Sequence, residues 1–275
     1  LFLKLFPSTK KSIKNEMQHI THFDGFGGIG AFSEALRRTG KGTTVAYCDI
    51  CEHANQVYNR HFPNIPIYPD IREYHPPQGV DLYTFGFPCT GTSQAGSKRG
   101  LDHEESNLWF EGLRIIREGS PRFVVIENPT GLLEVGRGMG TILQGLSESG
   151  YDAEWQTISA STFGSPQKRE RVFIVAHPHD RAWIRAQCWG DQVRAAIEKQ
   201  KDCARYPKFE SSDDGYIVRV PTELGDVPVG IPKKAKGRND IRKLFGRTID
   251  LNCAAIAIER VLYLDNFISS HRCIS

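Results

Sequence analysis

Apolar residues recur along this chain in two rhythms. Short continuous runs, such as Leu82-Tyr-Thr-Phe and Phe123-Val-Val-Ile, alternate with stretches in which apolar positions return every three or four residues. The short runs predict strands near 19–23, 44–48, 81–86, 122–126, 154–160 and 171–176. The longer rhythm predicts helices near 30–39, 52–61, 107–118 and 139–149. Strands that alternate with helices imply an α/β protein whose mostly parallel sheet is covered on both faces. The alternation stops after His177-Pro178. Segment 179–229 has one amphipathic helix near 181–201 and then a polar, turn-rich stretch, Glu210-Ser-Ser-Asp-Asp-Gly, before Tyr216-Ile-Val-Arg-Val. A last helix is predicted near 252–265, and no internal repeat is present.

Two of the predicted strands end in reactive side chains. Pro88-Cys89 closes the run that begins at Asp81, and Glu127-Asn128-Pro129 closes the run that begins at Phe123. Open α/β sheets place ligands beyond the carboxyl ends of their strands, so a thiol and a carboxyl at two such ends are expected to face one site. Each residue alone has an ordinary reading, a buried cysteine or a solvated turn acid. The pair argues for an enzyme.

The first strand runs into a glycine-rich turn and an amphipathic helix, His22-Phe-Asp-Gly-Phe-Gly-Gly-Ile-Gly-Ala-Phe-Ser, in which Gly25, Gly27 and Gly30 satisfy G-x-G-x-x-G. Asp49 follows the next predicted strand, where an acid accepts hydrogen bonds from ribose hydroxyls. The pattern suits a nicotinamide or another nucleoside cofactor. A dehydrogenase also needs a proton donor or metal beside a carbonyl, and the chain has no such signature near the turn. An adenosine that carries a methyl sulfonium needs only a close backbone approach, an aromatic face such as Phe26, and acids such as Asp49 and Asp70 for ribose and adenine.

With these residues in place, the chain resembles a DNA (cytosine-5) methyltransferase of the bacterial or phage type. The resemblance rests on Phe23-Asp-Gly-Phe-Gly-Gly-Ile-Gly-Ala-Phe, Gly86-Phe-Pro-Cys with Ser93 and Gly96 following, Glu127-Asn-Pro, and Gln167-Lys-Arg-Glu-Arg-Val-Phe-Ile-Val-Ala. A weaker block runs from Gly230-Ile-Pro-Lys through Leu244-Phe-Gly-Arg-Thr to the helix at Asn252. The family's order and spacing are kept over roughly residues 18 to 265.

The resemblance implies a Rossmann-like S-adenosylmethionine-dependent methyltransferase fold with a small target-recognition region. It implies S-adenosyl-L-methionine as cofactor, held by Phe26, Gly28, Gly30, Asp49, Asp70, Ile71 and Pro88. Cys89 would be the nucleophile that adds to C6 of cytosine, and Glu127 the carboxyl group at N3. Arg171 would hold the O2 edge, and Arg169 would orient the thiol or a phosphate. A guanidinium near Cys89 would also favour its thiolate. The substrate would be double-stranded DNA whose target base is rotated out of the helix. Residues 90–106, with Gly91, Gly96 and Gly100 as hinges, would close over it. DNA contacts would come from Ser93, Lys98, Arg99, Gln167, Lys233, Lys234 and Lys236. The chain departs from the family's common pattern at Thr90-Gly91-Thr92, at Pro129 and at Arg247.

Composition adds bounds. Net charge is only +3, but its distribution is uneven: residues 1–178 have 18 Lys and Arg against 19 Asp and Glu, and the remainder has 17 against 13. The excess gathers in Lys233, Lys234, Lys236, Arg238, Arg242, Lys243 and Arg247, with only Asp240 opposed, which suits phosphate contacts. Seven cysteines without a regular pattern fit a reducing compartment. Cys48 and Cys51 form C-x-x-C with no second pair at zinc spacing, so no metal site is expected. No apolar run reaches membrane-spanning length and no secretory segment is seen. The expectation is a monomer in the cytosol of a bacterium or phage-infected cell, with a cognate restriction endonuclease acting separately where one exists. The expected division is an extension at 1–16, read as upstream sequence or a disordered arm, a catalytic domain at 17–178, a target-recognition region at 179–229, and a return segment at 230–275. The alternative from another class is a DNA-binding protein of the same fold with little or no catalysis.

Overall fold

The structure is a computed structural model that describes residues 19–88, 108–134, 136, 138–163, 165, 168–179, 186–201, 208–212, 215–222, 225–229 and 248–271, with backbone alone for 199–201, 208–229 and 271. Its centre is a seven-stranded sheet. In chain order the strands are β1 (Ile20–Gly25), β2 (Gly42–Cys48), β3 (Ile67–Tyr68), β4 (Leu82–Phe85), β5 (Phe123–Pro129), β6 (Tyr151–Ser159) and β7 (Glu170–Pro178). Across the sheet the order is β3-β2-β1-β4-β5-β7-β6. Neighbours from β3 to β5 pair in parallel, whereas β7 runs antiparallel to both β5 and β6.

Central strands buried on both faces need apolar residues at successive positions, which is why Phe123-Val-Val-Ile reads as a continuous run. Phe123 and Val125 join the core under helices α1 (Ala31–Thr39), α5 (Trp189–Lys201) and α6 (Leu251–His271). Val124 and Ile126 join the opposite core under α3 (Leu108–Gly119) and α4 (Met139–Glu148). Helix α2 (Glu52–His61) buries Ala54 and Tyr58 beside β2. Arg260 of α6 is buried and held by Glu154 of β6 through its Nε at 2.5 Å and Nη2 at 3.0 Å, and its Nη1 donates to Gln187 O and Gln192 Oε1.

Several boundaries differ from expectation. The helix predicted from residue 181 begins at Trp189, which is buried; residues 181–185 lie outside the described residues. The last helix runs to His271, because its apolar stripe continues through Leu264 and Ile268 into the core. Strand β3 was missed because its two residues are too few to show a period. A second, antiparallel sheet was missed as well: β8 (Lys208–Ser212), β9 (Gly215–Thr222) and β10 (Gly225–Val229), in the order β10-β9-β8. Its strands mix charged residues with Pro221 and Pro228, so alternation alone does not mark them. Among the described residues no helix is long and apolar enough to cross a membrane.

Candidate active site

The carboxyl ends of β1, β4 and β5 lie side by side, since Gly25 pairs with Phe85 and Phe85 with Ile126. Beyond those ends the chain stays close. Gly86 N–H donates to Gly25 O at 3.3 Å, and the buried Asn128 amide donates from Nδ2 to Phe87 O at 3.3 Å. The segment Gly86-Phe87-Pro88 is thereby tied to both neighbouring strand ends. A methyl group at Gly86 would stand 3.4 Å from Phe26 O, 3.6 Å from Ile249 and 3.7 Å from Glu127 Oε2, so these three residues surround one point.

Glu127 is buried at the tip of β5, and Arg171 of β7 reaches it with Nε 2.9 Å from Oε1. The antiparallel ladder sets this contact. Glu127 lies opposite Phe173, and Arg171 is two residues further along the same face. Burial pushes the Glu127 carboxyl above the usual carboxylate range, against the opposing pull of Arg171 and then Arg169. Arg171 Nη1 also donates to Glu170 O at 2.8 Å, which fixes the guanidinium.

The glycine turn lies between β1 and α1. Phe26 has a φ of 53°, in the left-handed region that non-glycine residues rarely adopt, and the surrounding turn must hold it there. Gly28 and Gly30 also have positive φ. Gly28 N–H donates to Asp49 Oδ2 at 2.9 Å, while Asp49 Oδ1 accepts the Cys51 N–H at 2.8 Å. Asp49 therefore fastens the turn from the end of β2. The next residue, Ile50, is 71 % exposed, an apolar surface at the rim that sequence reasoning did not single out. Asp70 lies beyond β3 and is gripped by Arg72, with Nη2 to Oδ2 at 2.7 Å and the backbone N–H to Oδ1 at 2.9 Å. That side-chain hydrogen bond, with the backbone one, holds its carboxyl below the usual range. Ile71 is buried beside it. A cavity of about 420 Å³ opens by the turn, lined in part by Ile29, Gly30, Ala31, His61, Thr248 and Ile249.

Thr248 and Ile249 come from just before α6, whose first turn is capped by Asp250 Oδ1, an acceptor for the N–H groups of Asn252 (3.0 Å) and Cys253 (3.3 Å). The sequence offered only the weak block around Gly246 as a signal for them. The structure thus brings together Phe26, Gly28, Gly30, Asp49, Pro88, Glu127 and Arg171 at one end of the sheet, with Arg169 one residue before β7. Cys89, Ser93, Lys98, Arg99, Gln167, Lys233, Lys234 and Lys236, and the segment 90–106, lie outside the described residues.

Comparison with known proteins bears on this geometry. A family model described as C-5 cytosine-specific DNA methylase matches residues 20–241. The type II methyltransferase M.CviJI of Paramecium bursaria Chlorella virus IL3A is 34 % identical over 154 residues, 55 % of this chain and 41 % of its own length. M2.BsuMI of Bacillus subtilis is 36 % identical over 157 residues, covering 55 % and 40 %. M.HpaII of Haemophilus parainfluenzae is 35 % identical over 173 residues, covering 60 % and 48 %. The matches span about half or less of the length of these relatives. The family match covers most of the chain, including every strand of the central sheet: the chain belongs to the C-5 cytosine-specific DNA methylases.

Proposed function

We propose that the protein transfers a methyl group from S-adenosyl-L-methionine to C5 of a flipped-out cytosine in a specific double-stranded DNA sequence, through a covalent bond between Cys89 and C6. The observation that carries this reading is the buried pair of Glu127 and Arg171, placed beside the Gly86-Phe87-Pro88 segment that leads directly into Cys89.

C5 of cytosine is a weak nucleophile until a thiolate adds at C6. Addition of the Cys89 sulfur at C6 pushes the ring's electron pair toward N3, where a carboxyl proton from Glu127 stabilises it. Burial suits Glu127 to this role, because a raised carboxyl keeps its proton closer to neutral pH. Arg171, already on Glu127, would present its guanidinium to O2. The activated C5 then takes the methyl group, a base removes the C5 proton, and the Cys89–C6 bond breaks as the sulfur leaves. Arg169 would orient the thiol or a phosphate.

The glycine turn fits an adenosyl cofactor. Side chains at Gly25 or Gly27 would collide with the buried Phe85, Tyr47 and Asp24, so glycine lets the turn lie close on the strands beneath it. When bound there, S-adenosylmethionine supplies the electrophilic methyl group. Phe26, Gly28, Gly30 and Asp49 would hold it with Ile71 and Pro88. Asp70, gripped by Arg72, keeps only the acceptor capacity its partner leaves.

Ser93, Lys98, Arg99, Gln167, Lys233, Lys234 and Lys236 would contact the DNA. In this reading residues 17–178 form the catalytic domain, 179–229 recognise the target, and 230–275 return to the catalytic domain. The protein would act as a cytosolic monomer, with any restriction endonuclease separate. DNA with 5-fluorocytosine at the target tests the mechanism, since fluorine at C5 cannot leave as a proton and elimination of Cys89 is blocked. A denaturant-resistant adduct should form with S-adenosylmethionine, vanish in Cys89→Ser, and form on the order of 10²-fold more slowly in Glu127→Gln. Failure of the wild type to form an adduct at a verified target would refute catalysis and favour a DNA-binding role.

A further inference from the structure

The end of β2 holds the glycine turn through three successive residues. Cys48 O accepts the Gly27 N–H at 3.2 Å, Asp49 Oδ2 accepts the Gly28 N–H at 2.9 Å, and the Tyr47 hydroxyl donates to Gly28 O at 2.5 Å. Gly28 is therefore gripped by both of its backbone groups. The sequence points to Asp49, whereas Tyr47 sits inside a predicted strand and carries no such signal.

Packing leaves the Tyr47 hydroxyl little freedom. The residue is fully buried, and its ring stacks on that of Tyr58 of α2 with centroids 3.7 Å apart and planes 19° apart. The turn lies against the same ring, since a methyl group at Gly27 would come within 2.7 Å of it.

The contact with Gly28 orients a whole peptide group. A trans peptide is planar, so its C=O and N–H point in opposite directions. With Gly28 O turned to the buried Tyr47 hydroxyl, the Ile29 N–H points away from it. Among the described residues nothing accepts that N–H, and Ile29 lines the cavity beside the turn. Glycine permits many backbone conformations, and the turn has it at positions 27, 28 and 30. An unclamped turn would have to be ordered by its ligand, at a cost in affinity. We propose that Tyr47 is a positioning residue for cofactor binding, whose hydroxyl fixes the Gly28–Ile29 peptide so that the turn presents the Ile29 N–H to the ligand. The proposal rests on the reading that the glycine turn binds S-adenosylmethionine.

Tyr58 supplies the internal control. It is as deeply buried as Tyr47 and stacked on it, but its hydroxyl lies 3.1 Å from Ser33 Oγ, on α1, instead of on the backbone of the turn. Loss of either hydroxyl removes one buried polar group from the same stack. Only the loss at Tyr47 frees the Gly28 carbonyl.

The test is S-adenosylmethionine affinity by calorimetry, with melting temperature recorded alongside, in wild type, Tyr47→Phe, Tyr58→Phe and a protein with 4-aminophenylalanine in place of Tyr47. Tyr47→Phe keeps the stacked ring and loses the donor, and should bind about fivefold to tenfold more weakly. Tyr58→Phe should bind as wild type does. The 4-amino group restores an N–H donor toward Gly28 O and should recover most of the lost affinity. A Tyr47→Phe variant with wild-type affinity overturns the proposal. So does a Tyr58→Phe variant that weakens binding as much as Tyr47→Phe, or an amino-substituted protein that melts like wild type yet binds no better than Tyr47→Phe. If Tyr47→Phe does not fold, 4-fluorophenylalanine at the same position, which fills the space without donating, takes its place in the comparison. Absence of binding by the wild type would instead refute the cofactor reading on which the proposal stands.

Discussion

Acid titration of two single variants should separate the opposing effects of His22 and Asp24 on stability. His22 is fully buried and neutral in the folded protein, with its pKa lowered from 6.5 to about 3. The unfolded chain takes up a proton below 6.5 that the folded chain refuses. Stability contributed by His22 is therefore complete above 6.5 and is lost as pH falls toward 3, by about 5 kcal/mol in all and about 3 kcal/mol of it by pH 4. Asp24 acts in the opposite direction. Its pKa is raised from 3.8 to about 6, so the folded chain keeps a proton that the unfolded chain releases. That contribution is complete below 3.8 and is lost as pH rises through 6, by about 3 kcal/mol. Between pH 6.5 and 4 the two nearly cancel in the wild type. His22→Gln should leave Asp24 uncompensated and gain about 3 kcal/mol on acidification relative to wild type, while Asp24→Asn should lose about as much. Urea unfolding at pH 7, 5.5 and 4 reads these slopes, and the other titrating groups drop out of the comparison. Three parallel stability profiles would refute the reasoning.

Other substitutions probe the site and its support. Asp49→Ala strands the N–H groups of Gly28 and Cys51 and should weaken S-adenosylmethionine binding by about 1–3 kcal/mol, measured by calorimetry; unchanged affinity would remove Asp49 from the site. Gly27→Ala places a methyl group 2.7 Å from the Tyr47 ring and should cost about 1–3 kcal/mol of stability by chemical denaturation. Arg260→Met breaks the double contact with Glu154 and should destabilise the protein by about 3–5 kcal/mol, seen as a lower melting temperature.

Much of the central sheet was legible because its strands are buried on both faces and appear as unbroken apolar runs. Helix α2 was read at its observed bounds. Strand direction was legible only as a mostly parallel sheet: a period of two carries no sense of direction, so the antiparallel course of β7 against β5 and β6 could not be read from the sequence. At the site, the residues that end strands could be named from sequence, since each follows an apolar run directly. The buried hydrogen bonds of Asp24 and His22 could not. Asp24 and Thr84 are 60 positions apart and His22 and Thr84 are 62 apart, so only the pairing of β1 with β4 makes them neighbours. Ile249 was obscure for the same reason, placed at Gly86 by a helix that returns from the end of the chain.

The reversal of β7 makes the sheet a counting device for the pairing of Glu127 with Arg171. Arg171 meets Glu127 because it lies two steps from Phe173 on the shared face. Strand side chains change face at every step, so the loss of one residue within Val172–Pro178, with the later pairs kept, would turn the guanidinium to the opposite face and leave a buried carboxyl without its counter-charge. A change of length after Pro178 carries no such penalty, because it falls beyond the last paired residue. Under the proposed division of the chain, in which residues 179–229 recognise the target, length and sequence can vary there while the phase of the acid and the arginine is kept.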